Sequence, residues 1–194
     1  MGELRRGLAR ARPTTRAELE ADLRRLFPLI VPSEYFKRAF PAPHDPLPNE
    51  QLALTWVLLQ PTTMLYLTAD EAERFDAQGF AWKARSVENL EKAGGVATQD
   101  RRSATGQLAW VGMMHRDGWG SSRVSLASRC SVLFPEGYWI ALPDRSYGMA
   151  ISKTLAAGEL EEVKEMVSKM FQGATTPMSG RLHEPAEFAI PRES

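Results

Sequence analysis

The sequence predicts an α+β fold, a mainly antiparallel sheet of about five strands with helices packed on one face. Two pairs of β-rich runs, each broken by a short polar turn, predict hairpins across residues 52–68 and 138–153. Three stretches carry apolar residues at helical spacing; two open with capping boxes and two close on glycine. With 194 residues, 43% hydrophobic and 25% charged, the chain is long enough to bury a core. The expected organisation is a loose basic segment over residues 1–12, followed by a single domain over residues 13–194.

Along the chain, Arg5, Arg6, Arg10 and Arg12 make the lead-in basic, which reads as a solvated tail. Thr15 and Glu18 form a capping box, and Leu19, Leu23, Leu26 and Ile30 then mark one helical face. Pro28 and Pro32 interrupt it, so the helix should end near Phe27, with Tyr35, Phe36 and Phe40 packing as a short second piece. Four prolines between Pro41 and Pro48 predict an extended loop holding a solvent-facing His44 and Asp45. Residues 52–59 and 63–68 form the first hairpin.

Thr68 and Glu71 cap a short helix running to about Asp76, and Phe80, Ala84, Val87 and Leu90 continue at helical spacing until Gly94-Gly95 end the helix. Residues 94–106 read as a polar loop. Gln107–Met114, apolar on both faces, reads as a central strand. Residues 123–134 fit both an alternating strand and a helix; the serines before them favour the helix. Tyr138–Pro143 and Tyr147–Lys153 form the second hairpin. Leu160, Val163, Val167 and Met170 form the face of a closing helix that ends at Gly173, and an irregular tail follows from Thr175.

Composition narrows the function. Lys+Arg and Asp+Glu both count 24, and this lack of a basic surplus disfavours nucleic-acid binding. One cysteine, Cys130, forms no internal disulfide and suits a reducing compartment. No apolar run approaches the roughly 20 residues of a membrane span. The Arg-rich N-terminus lacks the apolar core of a signal peptide, so the expected location is cytoplasmic.

The stretch from Asp117 to Lys153 gathers Cys130, a Gly/Ser turn, several arginines and the second hairpin. With residues 52–92 and the tail run TPMSGRL, it resembles the YtpQ-like family of bacterial proteins (domain of unknown function 1444). The resemblance covers roughly two thirds of the chain and implies a strand hairpin and a helix ending in Asn89-Leu90. It also implies an Asp-Gly followed by a Ser-Arg segment, and a strand ending in the turn Pro143-Asp144-Arg145. Ser146 stands where relatives would carry an Asp. The resemblance implies no reaction.

The residues themselves give two readings of this stretch. In the first, a helix start at Gly120-Ser121-Ser122 offers N–H groups and hydroxyls, with Arg123, Arg129 and Arg145 adding cationic donors. Asp117, Ser121, Ser122, Arg129 and Arg145 then form the candidate ligand-binding set. This makes the chain a non-catalytic binding or accessory domain that recognises a protein or a small anionic ligand. The competing structural reading pairs Asp117 and Asp144 with these arginines as braces. In the second functional reading the chain is a hydrolase-type enzyme around Asp117, Ser121 and Ser122, with His115 as base, although no Gly-x-Ser-x-Gly elbow is present. His44, His115 and His183 lie too far apart for a metal motif, and no cofactor motif occurs, so neither a metal nor a cofactor is expected. Cys130 reads as core, and Trp119 and Trp139 as core or rim aromatics.

Overall fold

The computed structural model describes residues 15–38, 42–94, 97–115 and 117–188. The basic lead-in expected over residues 1–12, and the packing expected of Phe40, lie outside them. Thr15 opens α1 (Arg16–Leu23) through the capping box: its hydroxyl accepts from the Glu18 amide at 3.3 Å, and Glu18 accepts from the Thr15 amide at 2.9 Å. The helix stops at Leu23, short of the expected end near Phe27. The run LFPLIVP is instead a strand, β1 (Leu26–Pro32), with all but its last residue buried. Its prolines exclude a helix, and its unbroken apolar character suits a strand covered on both faces.

The first sheet centres on β3 (Leu52–Leu59), which pairs antiparallel with β1 on one side, Leu29 opposite Thr55. On its other side, β2 (His44–Pro46) and β4 (Met64–Tyr66) follow one another along β3. The expected Pro-rich loop therefore contains a short strand: His44 stacks on Phe36 with ring centroids 3.9 Å apart, and Asp45 pairs with Lys83 at 3.0 Å. In β1 the prolines fall at alternate positions around Ile30, whose N–H turns away from β3 and donates to Ser122 Oγ at 3.2 Å. Pro28 and Pro32 share that outward parity, where a ladder donor is not needed.

Thr68 and Glu71 form the second capping box, at the start of α2 (Ala69–Ala77). Gly79, at φ 69, turns the chain into α3 (Trp82–Lys92). Asn89 of α3 donates through Nδ2 to the carbonyls of Leu23 and Leu26, at 2.7 and 2.9 Å, which ties the end of α1 to the start of β1.

The second sheet has five antiparallel strands: β5 (Gln99–Arg102), β6 (Leu108–Met113), β7 (Tyr138–Asp144), β8 (Tyr147–Ser152) and β9 (Leu182–His183), in the spatial order β5-β6-β8-β7-β9. The α+β class is as expected, but the strands divide between two sheets, and β5 and β9 occupy stretches expected to be loop. β5 has every residue exposed and is held by its ladder to β6. Side chains of the central strands alternate between two clusters. Val111, Met113, Ile140, Leu142 and Ala150 join the main core with β1, β3, α2 and α3. Ala141, Met149 and Ile151 meet Val163 and Val167 of α5 (Ala157–Gln172) on the opposite face. Each of the valine, leucine, isoleucine and methionine side chains among them contributes about 1.5–3 kcal/mol when fully buried.

Residues 123–134 follow the helical alternative, but in two pieces. A 3₁₀ turn (Ser121–Ser125) precedes α4 (Ala127–Leu133), and Leu126 at φ −83, ψ 44 breaks the helix between them. The 3₁₀ turn lies between β1 of one sheet and β8 of the other. It is the joint of the molecule. Among the described residues, no helix is long and apolar enough to cross a membrane.

Candidate functional site

The joint is fixed first by close backbone approach. A Cβ on Gly120 would stand 2.0 Å from the Ser146 carbonyl oxygen, and one on Gly148 would stand 2.6 Å from the Gly120 oxygen. Glycine at both positions lets the 3₁₀ turn press onto β8. Trp119, 2% exposed, stacks on Phe27 of β1 with centroids 4.9 Å apart, so it is a core aromatic.

Into this backbone frame the sequence sets an ion pair. Arg123 has 0% exposure, and its Nη1 and Nη2 donate to Asp117 Oδ1 and Oδ2 at 2.9 and 2.7 Å. Nη2 also donates to the Ala93 carbonyl at 2.9 Å, which anchors the end of α3. The Trp119 amide donates to Asp117 Oδ1 at 3.0 Å. Burial pushes the Asp117 carboxyl up, but the Arg123 hydrogen bonds, the Trp119 amide and the nearby charges of Arg123 and His115 hold it below its ordinary value. Asp117 is a brace for a buried cation.

The serines are committed or sealed. Ser122 Oγ accepts from the Ile30 amide and closes the open side of β1. The Ser121 amide donates to the Arg145 carbonyl at 3.2 Å. Ser121 Oγ has no hydrogen-bond partner among the described residues, and Ser121 has no solvent exposure. His115 Nε2 lies 3.0 Å from the Gly94 carbonyl, while its Nδ1 is buried with no partner among the described residues. Asp117, Ser121 and Ser122 thus share one joint, but none of the hydrogen bonds there links a serine hydroxyl to His115. The expected helix-start anion site does not form either. The 3₁₀ turn spends the Ser121 amide on Arg145 and the Arg123 amide on Trp119.

Arg129 and Arg145 leave the cluster in different ways. Arg129 lies on α4 and pairs with Glu91 at the surface, both largely exposed. Arg145 tips the β7–β8 turn, with its amide donating to the Thr176 carbonyl at 3.0 Å. Its half-buried guanidinium makes no hydrogen bond or ion pair among the described residues. Asp144, next to it, accepts from the Ser146 amide, the Ser146 hydroxyl and the Thr176 amide at 2.8, 2.6 and 2.9 Å. Burial raises the Asp144 carboxyl, but these bonds and the charge of Arg145 hold it below its ordinary value. Ser146 therefore serves the turn as a donor to Asp144.

The charge of Arg145 acts on Tyr66 of β4. Burial raises the Tyr66 phenol, while the positive charge of Arg145 lowers it and Tyr35 raises it again. A Cβ on Gly118 would stand 3.3 Å from Met64 Cε, which puts the same strand against the Asp117-Gly118 turn. The charge of half-buried Arg145 is thus felt at the Tyr66 phenol, where β4 meets the joint.

Cys130 has no exposure, and burial raises its thiol to about 11, so it is an unreactive core residue. Among the described residues no group of His, Cys, Asp and Glu is placed to hold a metal ion. Trp139 is half-buried with Lys153 Nζ 4.3 Å over its ring.

The tail holds what motif reading misses. Ser179, His183 and Glu187, four residues apart in turn, form one hydrogen-bonded chain: Nε2 of His183 lies 2.8 Å from Ser179 Oγ, and Nδ1 lies 2.9 Å from Glu187 Oε2. The regular spacing is the only signal in the sequence, and it carries no recognised motif. Comparison of the chain with protein-family models, with curated proteins and with solved structures returned no match.

Proposed function

We propose that this chain is a binding domain in which Arg145 takes an acidic group, a carboxylate or phosphate. The observation that supports the reading is the state of that guanidinium. The residue is half-buried, its charge acts on the Tyr66 phenol, and its side chain has no hydrogen-bonding or ion-pairing partner among the described residues. A planar five-donor fork is suited to bidentate anion recognition, and the Tyr66 phenol offers an apolar face with a polar edge. Asp117, Ser121, Ser122 and Arg129 support this site only indirectly, by fixing the joint or the surface of α4.

The proposal includes a cytoplasmic setting, supported by the single buried thiol. It also includes membership of the YtpQ-like family. In favour is the use of the motif residues Asn89, Asp117 and Arg123 in the contacts that tie α3 to β1 and to the joint, and of Asp144 in the contact that ties the β7–β8 turn to Thr176.

A thermal-shift screen against small carboxylates and phosphates tests it, because a ligand at 100 times its Kd stabilises the native state by about 2.7 kcal/mol. The expected result is a shift that disappears in Arg145→Ala while the ligand-free melting temperature stays near that of the native chain. No shift with any anion, together with a lowered melting temperature in Arg145→Ala, would mean that the arginine braces the turn and that the proposal is wrong. A purified acidic peptide in the same assay separates a protein source of the acidic group from a metabolite.

A further inference from the structure

The chain of Ser179, His183 and Glu187 is separate from Arg145 and has the connectivity of a nucleophile, a base and an orienting carboxylate. Glu187 is fixed independently of the histidine, by Arg181 Nη2 at 2.9 Å and by the Glu184 amide at 2.9 Å. Glu184 in turn pairs with Lys153, so the charges around the imidazole are Glu187, Arg181, Glu184 and Lys153. A carboxylate on Nδ1 keeps the ring proton there and leaves the Nε2 lone pair facing Ser179. Burial holds the imidazole below its ordinary value, with the Arg181 charge acting in the same sense and Glu187 opposing both. The ring is therefore neutral at pH 7, the state a base needs.

Access limits what can react. His183 is 1% exposed and packs edge-on against Phe188, but Ser179 keeps 7% exposure and is followed by exposed Gly180 and Arg181. A cleft of about 440 Å³ beside Gly180 and Leu182 belongs to the α5 side of β9. His183 alternates with Leu182 along β9 and so faces the other side, where Ser179 is hydrogen-bonded to it.

We propose that Ser179 is an activated nucleophile toward small acyl electrophiles, with His183 as its base and Glu187 as the positioning carboxylate. Ser179 Oγ adds to the carbonyl carbon of a small ester as its proton passes to His183 Nε2. The bond to the leaving alcohol breaks, and the alcohol departs with that proton. Water then adds to the acyl-serine, gives a proton to His183, and releases the carboxylic acid as the proton returns to Ser179. Atoms and charge balance with ester and water alone.

The test uses the full chain and a small fluorophosphonate, whose phosphorus takes the Ser179 oxygen as fluoride leaves, with the adduct located by peptide mass spectrometry. Labelling of Ser179 is expected in the native chain, with none at that peptide in Ser179→Ala. In Glu187→Gln it should be about 100-fold slower. Hydrolysis of p-nitrophenyl acetate should exceed the Ser179→Ala background and fall as acid protonates His183. His183→Gln is the stricter variant; if it does not fold, Glu187→Gln with a native melting temperature decides. Absence of a Ser179 adduct on folded protein overturns the proposal, as does labelling of Glu187→Gln at the native rate. A lowered melting temperature in Ser179→Ala without any labelling of the native chain would identify the hydroxyl as a lock on the tail.

Discussion

The guanidinium of Arg123 is wholly buried and relies on Asp117, which keeps 29% of its side chain in solvent; Arg129 and Glu91 face each other at 62% and 41% exposure. Removing one partner of a buried pair strands a charge, whereas an exposed pair trades weak attraction for side-chain entropy. Asp117→Ala should therefore lower stability by about 3 kcal/mol, the low end for a buried pair because water still reaches the carboxylate. Arg129→Ala should change it by less than about 1 kcal/mol. Urea denaturation of the two variants checks this, and equal losses would refute the distinction. The same contrast explains why Arg145 is the residue offered to a ligand: of the three arginines in the stretch, Arg123 is committed inside and Arg129 is paired outside.

At the scale of elements, the joint depends on groups that spare β1 an unpaired edge. Ser122→Ala removes the acceptor of the Ile30 amide and leaves that buried donor unsatisfied, a loss of about 1–3 kcal/mol. Gly120→Ala places a methyl 2.0 Å from a carbonyl oxygen, so the turn must lift off β8, and the expected loss exceeds about 4 kcal/mol. Hydrogen exchange should then show lost protection in both β1 and β8; loss confined to one strand would argue against a shared joint. What the sequence reveals at this scale follows from range. The capping boxes at Thr15 and Thr68 and the hairpin through Asp144 are settled by neighbours a few residues apart, and they can be read directly. β1 cannot, because Leu19, Leu23, Leu26 and Ile30 keep helical spacing while the partner that makes the run a strand begins at Leu52. β5 has no apolar residue to announce it, and β9 is two residues long. The candidate site divides in the same way. Asp117 reaches Arg123 six residues on, whereas Glu91 claims Arg129 from 38 residues away.

Across the whole molecule, buried and hydrogen-bonded titrating groups set the response to pH. His183 is held below its ordinary 6.5, so the unfolded chain takes up its proton first as pH falls. The associated stability is complete above about pH 6.5 and is lost as pH drops toward the lower folded value. Asp117 and Asp144, below an ordinary 3.8, and Glu187, below 4.5, have the same sign, and their contributions vanish in a second, more acidic stage. Cys130, Tyr66, Tyr138 and Tyr147 are raised, so at alkaline pH the unfolded chain ionises first and stability falls from about pH 9 upward. The urea midpoint should therefore be flat from about pH 7 to 8.5, decline in two steps on the acid side, and decline again on the alkaline side. His183→Gln should erase the first acid step and leave the second intact. If the step below pH 6.5 survives in that variant, the tail histidine does not control it.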